Sequence, residues 1–266
     1  MTQLLGIVAH PVSHSLSPSM QNAALQALGI DAHFEMFDVP PEELKIFMEE
    51  RSDIAGLAVS LPHKETVGQY LDGVDEIAQK IGVVNTVYMK NGQRWGINTD
   101  APGFMKALKE VMPSLKGKRV LVIGAGGAAR AVLSVLVPEA DSVTVINRTV
   151  PKGVEIAKAF GCRYGGKMED LDTETPDLIV NTTSVGLEGV DEPLLVPEDF
   201  IEPDMVVFDI VYRLNGRTRL LQDAQAAGAK TIDGCKMLLY QGMMQFELWT
   251  GEKAPQEIME RALGRC

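Results

Sequence analysis

The sequence predicts an α/β protein whose second half is built around a parallel sheet. Three observations lead to this prediction. Strand-like apolar runs alternate with helix-like segments along most of the chain. A glycine-rich turn at Gly124–Ala129 follows one apolar run and opens a helix-like segment. In the first half, Asn91-Gly92 lies between two strand-like runs and indicates a hairpin with a two-residue turn.

The first hundred residues are predicted to form a sheet that is only partly parallel, because the hairpin is antiparallel. Ser17-Pro18 predicts a helix start, with a serine cap followed by a proline in the first turn. This helix should run to about Leu28 and stop at Gly29. The other predicted elements are strands Leu4–Ala9, His33–Val39, Gly56–Leu61, Val83–Lys90 and Gln93–Asn98, and a helix opened by Pro41.

The second half begins near Pro102 and has a regular pattern. Its strands alternate with helices, which indicates βαβ units and a parallel sheet. The stretch from Cys235 to Cys266 is predicted to be helical. The predicted strands are Arg119–Ile123, Ser142–Asn147, Leu178–Thr183 and Met205–Ile210, and the predicted helices are Gly127–Val137, Pro151–Phe160 and Arg217–Ala227.

Composition and charge exclude several classes of function. Of the 266 residues, 45% are hydrophobic and 23% are charged, as in globular proteins. The net charge of −11 disfavours binding to nucleic acid and to anionic membranes, because the long-range field repels both. The apolar run Val120–Val137 contains Gly124 and Arg130, which fit a strand, turn and helix better than a membrane span. We therefore expect a small-molecule ligand, no nucleic acid and no membrane.

Cysteine and histidine positions predict neither a disulfide framework nor a metal site. Cys162, Cys235 and Cys266 are odd in number and irregularly spaced. The four histidines share no metal-ligand spacing with cysteines or acids. The first residues lack the basic region and cleavage signal of a secretory peptide. Together these observations predict a cytoplasmic protein without a bound metal.

The glycine-rich turn has the G-x-G-x-x-A form that binds dinucleotides. Gly124 permits the tight turn, Gly126 lets a pyrophosphate approach the backbone, and the small Ala129 lets helix and strand pack closely. The phosphates would lie at the helix N-terminus, where free N–H groups and the helix dipole favour an anion. Taken alone, the same pattern is equally typical of a tight strand–helix turn without a ligand.

The end of the next strand indicates which dinucleotide. An NAD enzyme usually carries an acid there for the ribose hydroxyls, whereas this chain has Asn147-Arg148-Thr149 followed by Lys152. Cationic and hydroxyl donors suit the 2′-phosphate of NADP. The alternative is that Arg148 and Lys152 are solvated residues at a helix start, where two cations oppose the helix dipole.

Two ionisable residues follow predicted strands of the first half. Lys64 comes after Gly56–Leu61, and Asp100 comes after Gln93–Asn98. Ligand sites of open α/β sheets lie at the carboxyl ends of strands, and a lysine held by a carboxylate can transfer a proton. A lysine taken at random is far more often a solvated surface residue, so position alone does not decide its role.

The order of short motifs along the chain resembles that of the shikimate dehydrogenase family. Each motif is short, but their joint order is specific, and the resemblance runs from Gly6 to about Trp249. The motifs are Ser13–Pro18, Val59–Lys64, Val84–Thr86, Asn98–Asp100, Gly124–Arg130, Asn147–Thr149 and Asp233–Gln241.

The resemblance implies roles for individual residues. Lys64 and Asp100 match the family's catalytic pair, with the lysine as general acid/base for the ring oxygen of the substrate. The implied substrate-binding residues are Ser15 and Ser17 for a carboxylate, Tyr212 near the same group, and Ser60, Asn85 and Gln241 for ring hydroxyls. The implied cofactor-binding residues are Gly124, Ala125, Gly126, Gly127, Ala128, Asn147, Arg148, Thr149 and Lys152, with Ile210 and Gly234 at the nicotinamide end.

The resemblance also implies two α/β domains. An N-terminal substrate domain of residues 1–101 and 236–266 includes the C-terminal helices, which return to it, and a Rossmann-like NADP-binding domain covers residues 102–235. The implied reaction is the reversible, NADP(H)-dependent reduction of 3-dehydroshikimate to shikimate in aromatic amino-acid (chorismate) biosynthesis. The family resemblance is compatible with a monomer or a homodimer.

One departure from the family pattern keeps alternatives open. Ala58 stands where many members of the family have a polar residue, often asparagine, that touches the substrate. The alternatives are therefore a quinate or aminoshikimate dehydrogenase. A non-catalytic NADP-binding protein of the same fold is a further alternative, which loss of Lys64 or Asp100 would favour; both residues are present.

Overall fold

The computed structural model describes residues 2–168, 171, 175–187, 190, 192–213 and 216–264. The chain forms two compact units. Unit 1 runs to Asp100 and resumes at Leu238–Gly264, and unit 2 is built from Ala101–Met237. The predicted α/β class is confirmed, since each unit contains a sheet with helices.

Unit 1 contains a mixed six-stranded sheet in the order β2-β1-β3-β5-β6-β4. Strand β1 pairs in parallel with β2 and β3, whereas β3, β5 and β6 pair antiparallel. Its strands are β1 (Gln3–Ala9), β2 (Ala32–Asp38), β3 (Ile54–Val59), β4 (Gly73–Val74), β5 (Thr86–Lys90) and β6 (Gln93–Ile97). Its first helices are α1 (Ser17–Ala27), α2 (Leu44–Glu50) and α3 (Glu76–Ile81).

The turns of unit 1 follow local sequence chemistry. Asn91 and Gly92 both have positive φ angles, 54° and 75°, as a type I′ turn requires, and they join β5 to β6 at the predicted position. Helix α1 ends before Gly29, whose φ of 63° only glycine adopts without strain. Ser17 does not cap α1 as predicted, because it is already the first helical residue and Leu16 occupies the cap position.

The C-terminal helices α8 (Gly234–Thr250, whose first four residues belong to unit 2) and α9 (Gln256–Ala262) complete unit 1. Trp249 of α8 lies directly against Gly56 of β3, where any larger side chain would collide with the indole ring. The Trp249 indole N–H donates to the Val87 carbonyl of β5 at 3.0 Å. Helix α9 packs on α1. The far part of α8 therefore covers the centre of the unit 1 sheet.

Unit 2 contains a parallel six-stranded sheet in the order β12-β11-β10-β7-β8-β9. Counted within the unit, this is the order 3-2-1-4-5-6 of dinucleotide-binding sheets, read from β9. Its strands are β7 (Arg119–Ile123), β8 (Ser142–Ile146), β9 (Arg163–Tyr164), β10 (Leu178–Asn181), β11 (Val206–Asp209) and β12 (Lys230–Ile232). Its helices are α4 (Asp100–Val111, whose first residue belongs to unit 1), α5 (Gly127–Leu136), α6 (Val150–Phe160) and α7 (Arg219–Ala226).

The central strands of unit 2 are mainly apolar because helices cover both faces of a parallel sheet. Strands β10 and β11 are buried at every position. Phe104 of α4 stacks on Phe208 of β11 with ring centroids 4.6 Å apart. Such a core fixes the ends of β7, β8 and β11, after which most of the predicted cofactor residues lie.

Two further findings concern the sequence expectations. Cys235 forms a disulfide bond, which the cysteine spacing did not predict, and Cys162 is a free thiol. Irregular spacing along a chain does not report which residues meet in space; Cys266 lies outside the described residues. Within the described part of the chain, no helix has the length and apolarity needed to cross a membrane.

Candidate active site

The predicted catalytic pair is formed in unit 1. The Lys64 ammonium donates to the Asp100 carboxylate with Nζ and Oδ2 2.7 Å apart. Lys64 lies in a 3₁₀ turn after β3, and Asp100 is the first residue of α4. Their side chains are 16% and 6% exposed, so the pair is largely shielded while the lysine keeps some access to solvent. This arrangement can present a proton-carrying ammonium in a fixed position.

His63 anchors the turn that carries Lys64. Its ring is buried and shares a 2.7 Å hydrogen bond between Nε2 and the Val39 carbonyl. Burial lowers the pKa of His63, and the Val39 carbonyl only partly opposes this. The segment before β5 also holds the turn, through a 2.9 Å hydrogen bond from the Val84 N–H to the Lys64 carbonyl. Lys64 therefore extends from a backbone that is fixed on both sides.

The topology of unit 1 gathers the predicted substrate residues at one edge of the sheet. Ser60 directly follows β3, and Asn85 directly precedes β5, which runs antiparallel to β3. Asp100 comes after β6, which is antiparallel to β5. The end of β3, the start of β5 and the end of β6 are thus neighbours, as the 2.8 Å hydrogen bond from the Val59 N–H to the Asn85 carbonyl shows.

Asn85 and Gln241 meet in a buried polar network. Asn85 Oδ1 accepts the Thr99 backbone N–H at 2.7 Å, and Asn85 Nδ2 donates to Thr99 Oγ1 at 2.9 Å. Asn85 Nδ2 also lies 3.4 Å from Gln241 Oε1. The Gln241 amide nitrogen donates to the Leu238 carbonyl of its own helix at 3.0 Å. The structure therefore brings two of the predicted hydroxyl-binding residues into contact.

Ser15 and Ser17 lie at the start of α1, beyond the end of β1. Ser17 is 3% exposed, and its backbone N–H donates to Ser15 Oγ at 3.3 Å. The two serines are thus adjacent in space. Because Ser17 does not cap the helix, that simpler explanation for a serine at this position does not apply.

The glycine-rich turn joins β7 to α5 at the switch point of the unit 2 sheet, between β7 and β10. Gly124 has a φ of 111°, and a Cβ there would lie 2.7 Å from Thr182 Oγ1. Gly126, at the N-cap of α5, is exposed with open space where a Cβ would stand. Ala129 is fully buried. Each position thus has the property that the fingerprint requires, with Ala125, Gly127 and Ala128 completing the turn.

The segment after β8 carries the predicted phosphate-binding residues. Asn147 Nδ2 donates to the Thr149 carbonyl at 2.8 Å and shapes the turn into α6, where Thr149 is the N-cap residue without a side-chain capping bond. Arg148, Thr149 and Lys152 are exposed. Neither Arg148 nor Lys152 forms an ion pair with another residue that the structure describes. Both cations are therefore open to an anionic ligand.

Ile210 and Gly234 lie together in unit 2. A Cβ at Gly234 would lie 2.0 Å from the Ile210 carbonyl oxygen, so only glycine fits at the start of α8. The Gly234 N–H donates to the Val211 carbonyl at 3.3 Å. Tyr212, predicted to lie near the substrate carboxylate, follows in the same segment and is half-buried.

Asp209 at the end of β11 organises this segment. Its carboxylate accepts hydrogen bonds from Asn181 Nδ2 at 2.8 Å, Thr218 Oγ1 at 2.7 Å and the Val211 N–H at 3.0 Å. Burial raises the pKa of Asp209 to about 6, a rise that these donors oppose and that nearby Glu192 reinforces. The sequence interpretation missed Asp209, although a lone acid ending an apolar strand could have signalled it.

The sequence interpretation also missed members of the Asn85 network. Thr86 and Thr99 lie inside the recognised motifs but were given no role, and Gln245 lies one helical turn beyond Gln241. The spacing of four residues on one helix face is the signal that could have found Gln245. No cluster of potential metal ligands occurs among the residues that the structure describes.

Three family models match this chain. The shikimate dehydrogenase substrate binding domain matches residues 7–87, the shikimate / quinate 5-dehydrogenase model residues 106–191, and the shikimate 5'-dehydrogenase C-terminal domain residues 234–263. The NADP(+) shikimate dehydrogenase of Aquifex aeolicus is 42% identical, over 98% of this chain and 96% of its own. The chain belongs to the shikimate dehydrogenase family.

Other members of the shikimate dehydrogenase family agree in length and fold. The NADP(+) shikimate dehydrogenase of Methanopyrus kandleri is 43% identical over 98% of this chain and 95% of its own. The crystal structure of the Thermus thermophilus shikimate 5-dehydrogenase, in complex with NADP(H) and shikimate, is 40% identical. It covers 98% of both chains with a TM-score of 0.88. The predicted family and the two-domain α/β class are thus confirmed.

Proposed function

We propose that this protein catalyses the reversible, NADP-dependent reduction of 3-dehydroshikimate to shikimate in aromatic amino-acid biosynthesis. The observation that carries the proposal is the shielded Lys64–Asp100 pair, which lies at the same sheet edge as the Asn85 network. The names of its relatives, which are NADP-dependent shikimate dehydrogenases, support the same activity.

Lys64 is the proposed proton carrier. In the direction of ketone reduction, its ammonium gives a proton to the ring oxygen as that oxygen gains negative charge; in the oxidation of shikimate, neutral Lys64 takes the hydroxyl proton. Asp100, 2.7 Å away, holds the ammonium in position and balances its charge. When bound, NADP(H) supplies or accepts the hydride.

The polar side chains of unit 1 suit a carboxylated polyol. Ser15 and Ser17 bring neutral hydroxyl groups that can hold a carboxylate without adding a cation near Lys64. Ser60, Asn85 and Gln241 supply hydroxyl and amide groups for the ring hydroxyls. A site built to hydrogen-bond hydroxyls rejects analogues that lack them, because its buried polar groups would be left unpaired. Tyr212 is assigned to the carboxylate end.

The residues of unit 2 fit NADP. The open space at Gly126 and the N-terminus of α5 can receive a pyrophosphate, and the exposed Arg148 and Lys152 can hold a 2′-phosphate. Thr149 adds a hydroxyl, while Ile210 and Gly234 are assigned to the nicotinamide end. The domain roles follow: residues 1–101 and 236–266 bind substrate, and residues 102–235 bind NADP. We further propose that the protein is cytoplasmic and is a monomer or a homodimer. Cell fractionation tests the location, and analytical sedimentation tests the oligomeric state.

The test is an absorbance assay at the reduced-nicotinamide band. Purified protein is given shikimate, quinate or no substrate, each with NADP and with NAD. We expect rapid reduction of NADP with shikimate and slower reduction in every other combination. Faster turnover with quinate would contradict the substrate assignment and point to Ala58 as its cause. Folded protein that binds NADP and turns over nothing would contradict the enzymatic function altogether.

A further inference from the structure

Gln245 on α8 is a buried side chain that contacts the Asn85 network from the helix side. It is 1% exposed, and its amide nitrogen donates to Thr86 Oγ1 at 2.9 Å and lies 3.3 Å from the Asn85 carbonyl oxygen. Its Oε1 is buried without a hydrogen-bond partner in the described structure. An unsatisfied buried acceptor costs free energy. The position of the Gln245 side chain is therefore fixed by the contacts of its amide nitrogen with Thr86 Oγ1 and the Asn85 backbone carbonyl.

The hydrogen bond from Gln245 fixes the direction of the Thr86 hydroxyl. An amide nitrogen carries only donors, so Thr86 Oγ1 must be the acceptor of this bond. The single hydroxyl hydrogen of Thr86 is then left for Asn85 Oδ1 at 2.9 Å or Thr99 Oγ1 at 3.1 Å. Both acceptors belong to the network that contains Asn85.

The direction of that hydroxyl decides how the Asn85 amide is presented. Asn85 Oδ1 accepts the Thr99 backbone N–H, which can only donate. It is also the nearer of the two acceptors for the Thr86 hydroxyl, at 2.9 Å against 3.1 Å for Thr99 Oγ1. The carbonyl end of the amide is thus occupied on the inner side. The NH₂ end faces Thr99 Oγ1 and, more distantly, Gln241 Oε1. One NH₂ hydrogen is used by Thr99 Oγ1 at 2.9 Å, whereas the other faces Gln241 Oε1 only at 3.4 Å. This second hydrogen is the donor that Asn85 can offer, so the ligand group that it binds must be an acceptor.

We propose that Gln245 is a positioning residue for substrate binding: through Thr86 it holds the Asn85 amide with its NH₂ group available to a ring hydroxyl oxygen. This rests on the proposed function, in which Asn85 binds the substrate ring. In this proposal Gln245 does not touch the substrate. It acts only through the Thr86 hydroxyl and the backbone carbonyl of Asn85.

The chain contains a matched control in Gln21 of α1. Gln21 is also fully buried in unit 1, its Oε1 also has no described partner, and its nitrogen also donates to α8, at the Gly242 carbonyl at 2.9 Å. It is not part of the Asn85 network. Gln21→Met and Gln245→Met therefore remove the same kind of buried hydrogen bond, but only the second one touches Thr86.

The experiment measures kcat and KM for shikimate and KM for NADP in wild type, Gln245→Met and Gln21→Met. We expect Gln245→Met to raise KM for shikimate about fivefold, equivalent to one neutral hydrogen bond, with KM for NADP within about twofold of wild type. Gln21→Met should leave both KM values within about twofold. An equal rise of KM for shikimate in both variants, or no rise in Gln245→Met, would overturn the proposal.

Thr86 provides an independent test that also serves if Gln245→Met does not fold. Thr86→Ser keeps the hydroxyl and should keep KM for shikimate near the wild-type value, whereas Thr86→Val should raise it as Gln245→Met does. In the Thr86→Val background, Gln245→Met should cause no further rise of KM for shikimate, because the Thr86 hydroxyl that links Gln245 to Asn85 (the relay) is absent. Independent, additive effects would refute the relay. Lack of turnover in wild type would instead refute the proposed function.

Discussion

Unit 1 and unit 2 hold their predicted functional side chains in different ways. In unit 1, Lys64, Asp100, Asn85 and Gln241 are largely buried and already bonded to neighbours. In unit 2, by contrast, Arg148 and the other predicted phosphate-binding side chains are exposed at a turn. A preorganised set of donors suits a small ligand that must be read group by group. Exposed cations suit a charged phosphate, whose attraction acts over a longer distance.

Two buried aspartates, one in each unit, sharpen this comparison. Asp100 faces an ammonium at 2.7 Å, whereas Asp209 is surrounded by neutral donors and its pKa is raised to about 6. In the proposed function, the ammonium beside Asp100 carries the mobile proton. A buried carboxylate with three neutral donors joins β10, β11 and the turn before α7. Asp209 is therefore a structural group in our account.

The largest expected effect follows substitution of Lys64. Lys64→Ala should lower kcat by about 10²- to 10⁴-fold, the usual contribution of a positioned proton carrier, while NADP still binds. Lys64→Arg keeps a charge beside Asp100 but cannot give up a proton at neutral pH, so it should be similarly slow. Steady-state kinetics and NADP titration measure both effects. Lys45→Ala, an exposed lysine of unit 1, is the control, and normal turnover in Lys64→Arg would refute the role.

The next effect concerns the stability of unit 2. Asp209→Leu should lower the free energy of unfolding by about 3 kcal/mol, because it leaves several buried donors unsatisfied at about 1–3 kcal/mol each. Urea denaturation measures this quantity. The exposed Asp204→Leu should change it by less than about 0.5 kcal/mol. Equal losses of unfolding free energy in the two variants would show that the hydrogen bonds of Asp209 do not stabilise unit 2.

A smaller effect is expected at the exposed cations. Arg148→Ala should raise KM for NADP about tenfold and leave KM for NAD nearly unchanged, because only NADP carries the 2′-phosphate. Lys158→Ala, an exposed lysine near the other end of α6, is the matched control. The measurement compares KM for NADP and KM for NAD in wild type and in Arg148→Ala. Equal rises for NADP and NAD would assign Arg148 to a part of the cofactor that both share.

The smallest effect is a pH dependence of stability. Because the pKa of Asp209 is raised from 3.8 to about 6 on folding, the folded state binds the proton first, and stability is lost as pH rises through 6. Wild type should therefore gain about 1 kcal/mol relative to Asp209→Asn between pH 7 and pH 5. His63, whose pKa is lowered, acts in the opposite direction, but it is present in both proteins and cancels. A difference that does not change with pH would contradict the raised pKa.

Elements with strong local signals could be predicted almost to the residue. Strand β7 is apolar after its first residue, Arg119, and ends at the glycine turn, and its predicted bounds match the structure. The Asn91-Gly92 hairpin is specified by two residues of positive φ. Short elements were missed. Strand β9 has two residues and β12 has three, too few to show periodicity. The longer helix α4 was missed for a different reason: Pro102 suggests a break, although the first turn of a helix tolerates proline.

Only those site residues that lie within recognisable sequence motifs could be predicted. Lys64 and Asp100 were found because both follow strands within recognisable motifs, and the structure places them in contact. Gln245 is separated from Thr86 by 159 positions, and only the folded sheet and helix bring them together. Asp209 is likewise bonded to Asn181 on the neighbouring strand and to Thr218 before α7, and only its Val211 partner is local in the sequence. Long-range hydrogen bonds between polar residues leave no periodic signal in a single sequence.

The most direct test of the central claim is the stoichiometry of the reaction itself. Wild-type protein is incubated with shikimate and NADP, the reduced cofactor is quantified by absorbance, and the organic product is quantified by NMR. Our account predicts 3-dehydroshikimate and NADPH in equal amounts, with one proton released per turnover. Reduced cofactor without 3-dehydroshikimate, or no reduction by folded protein that binds NADP, would contradict it.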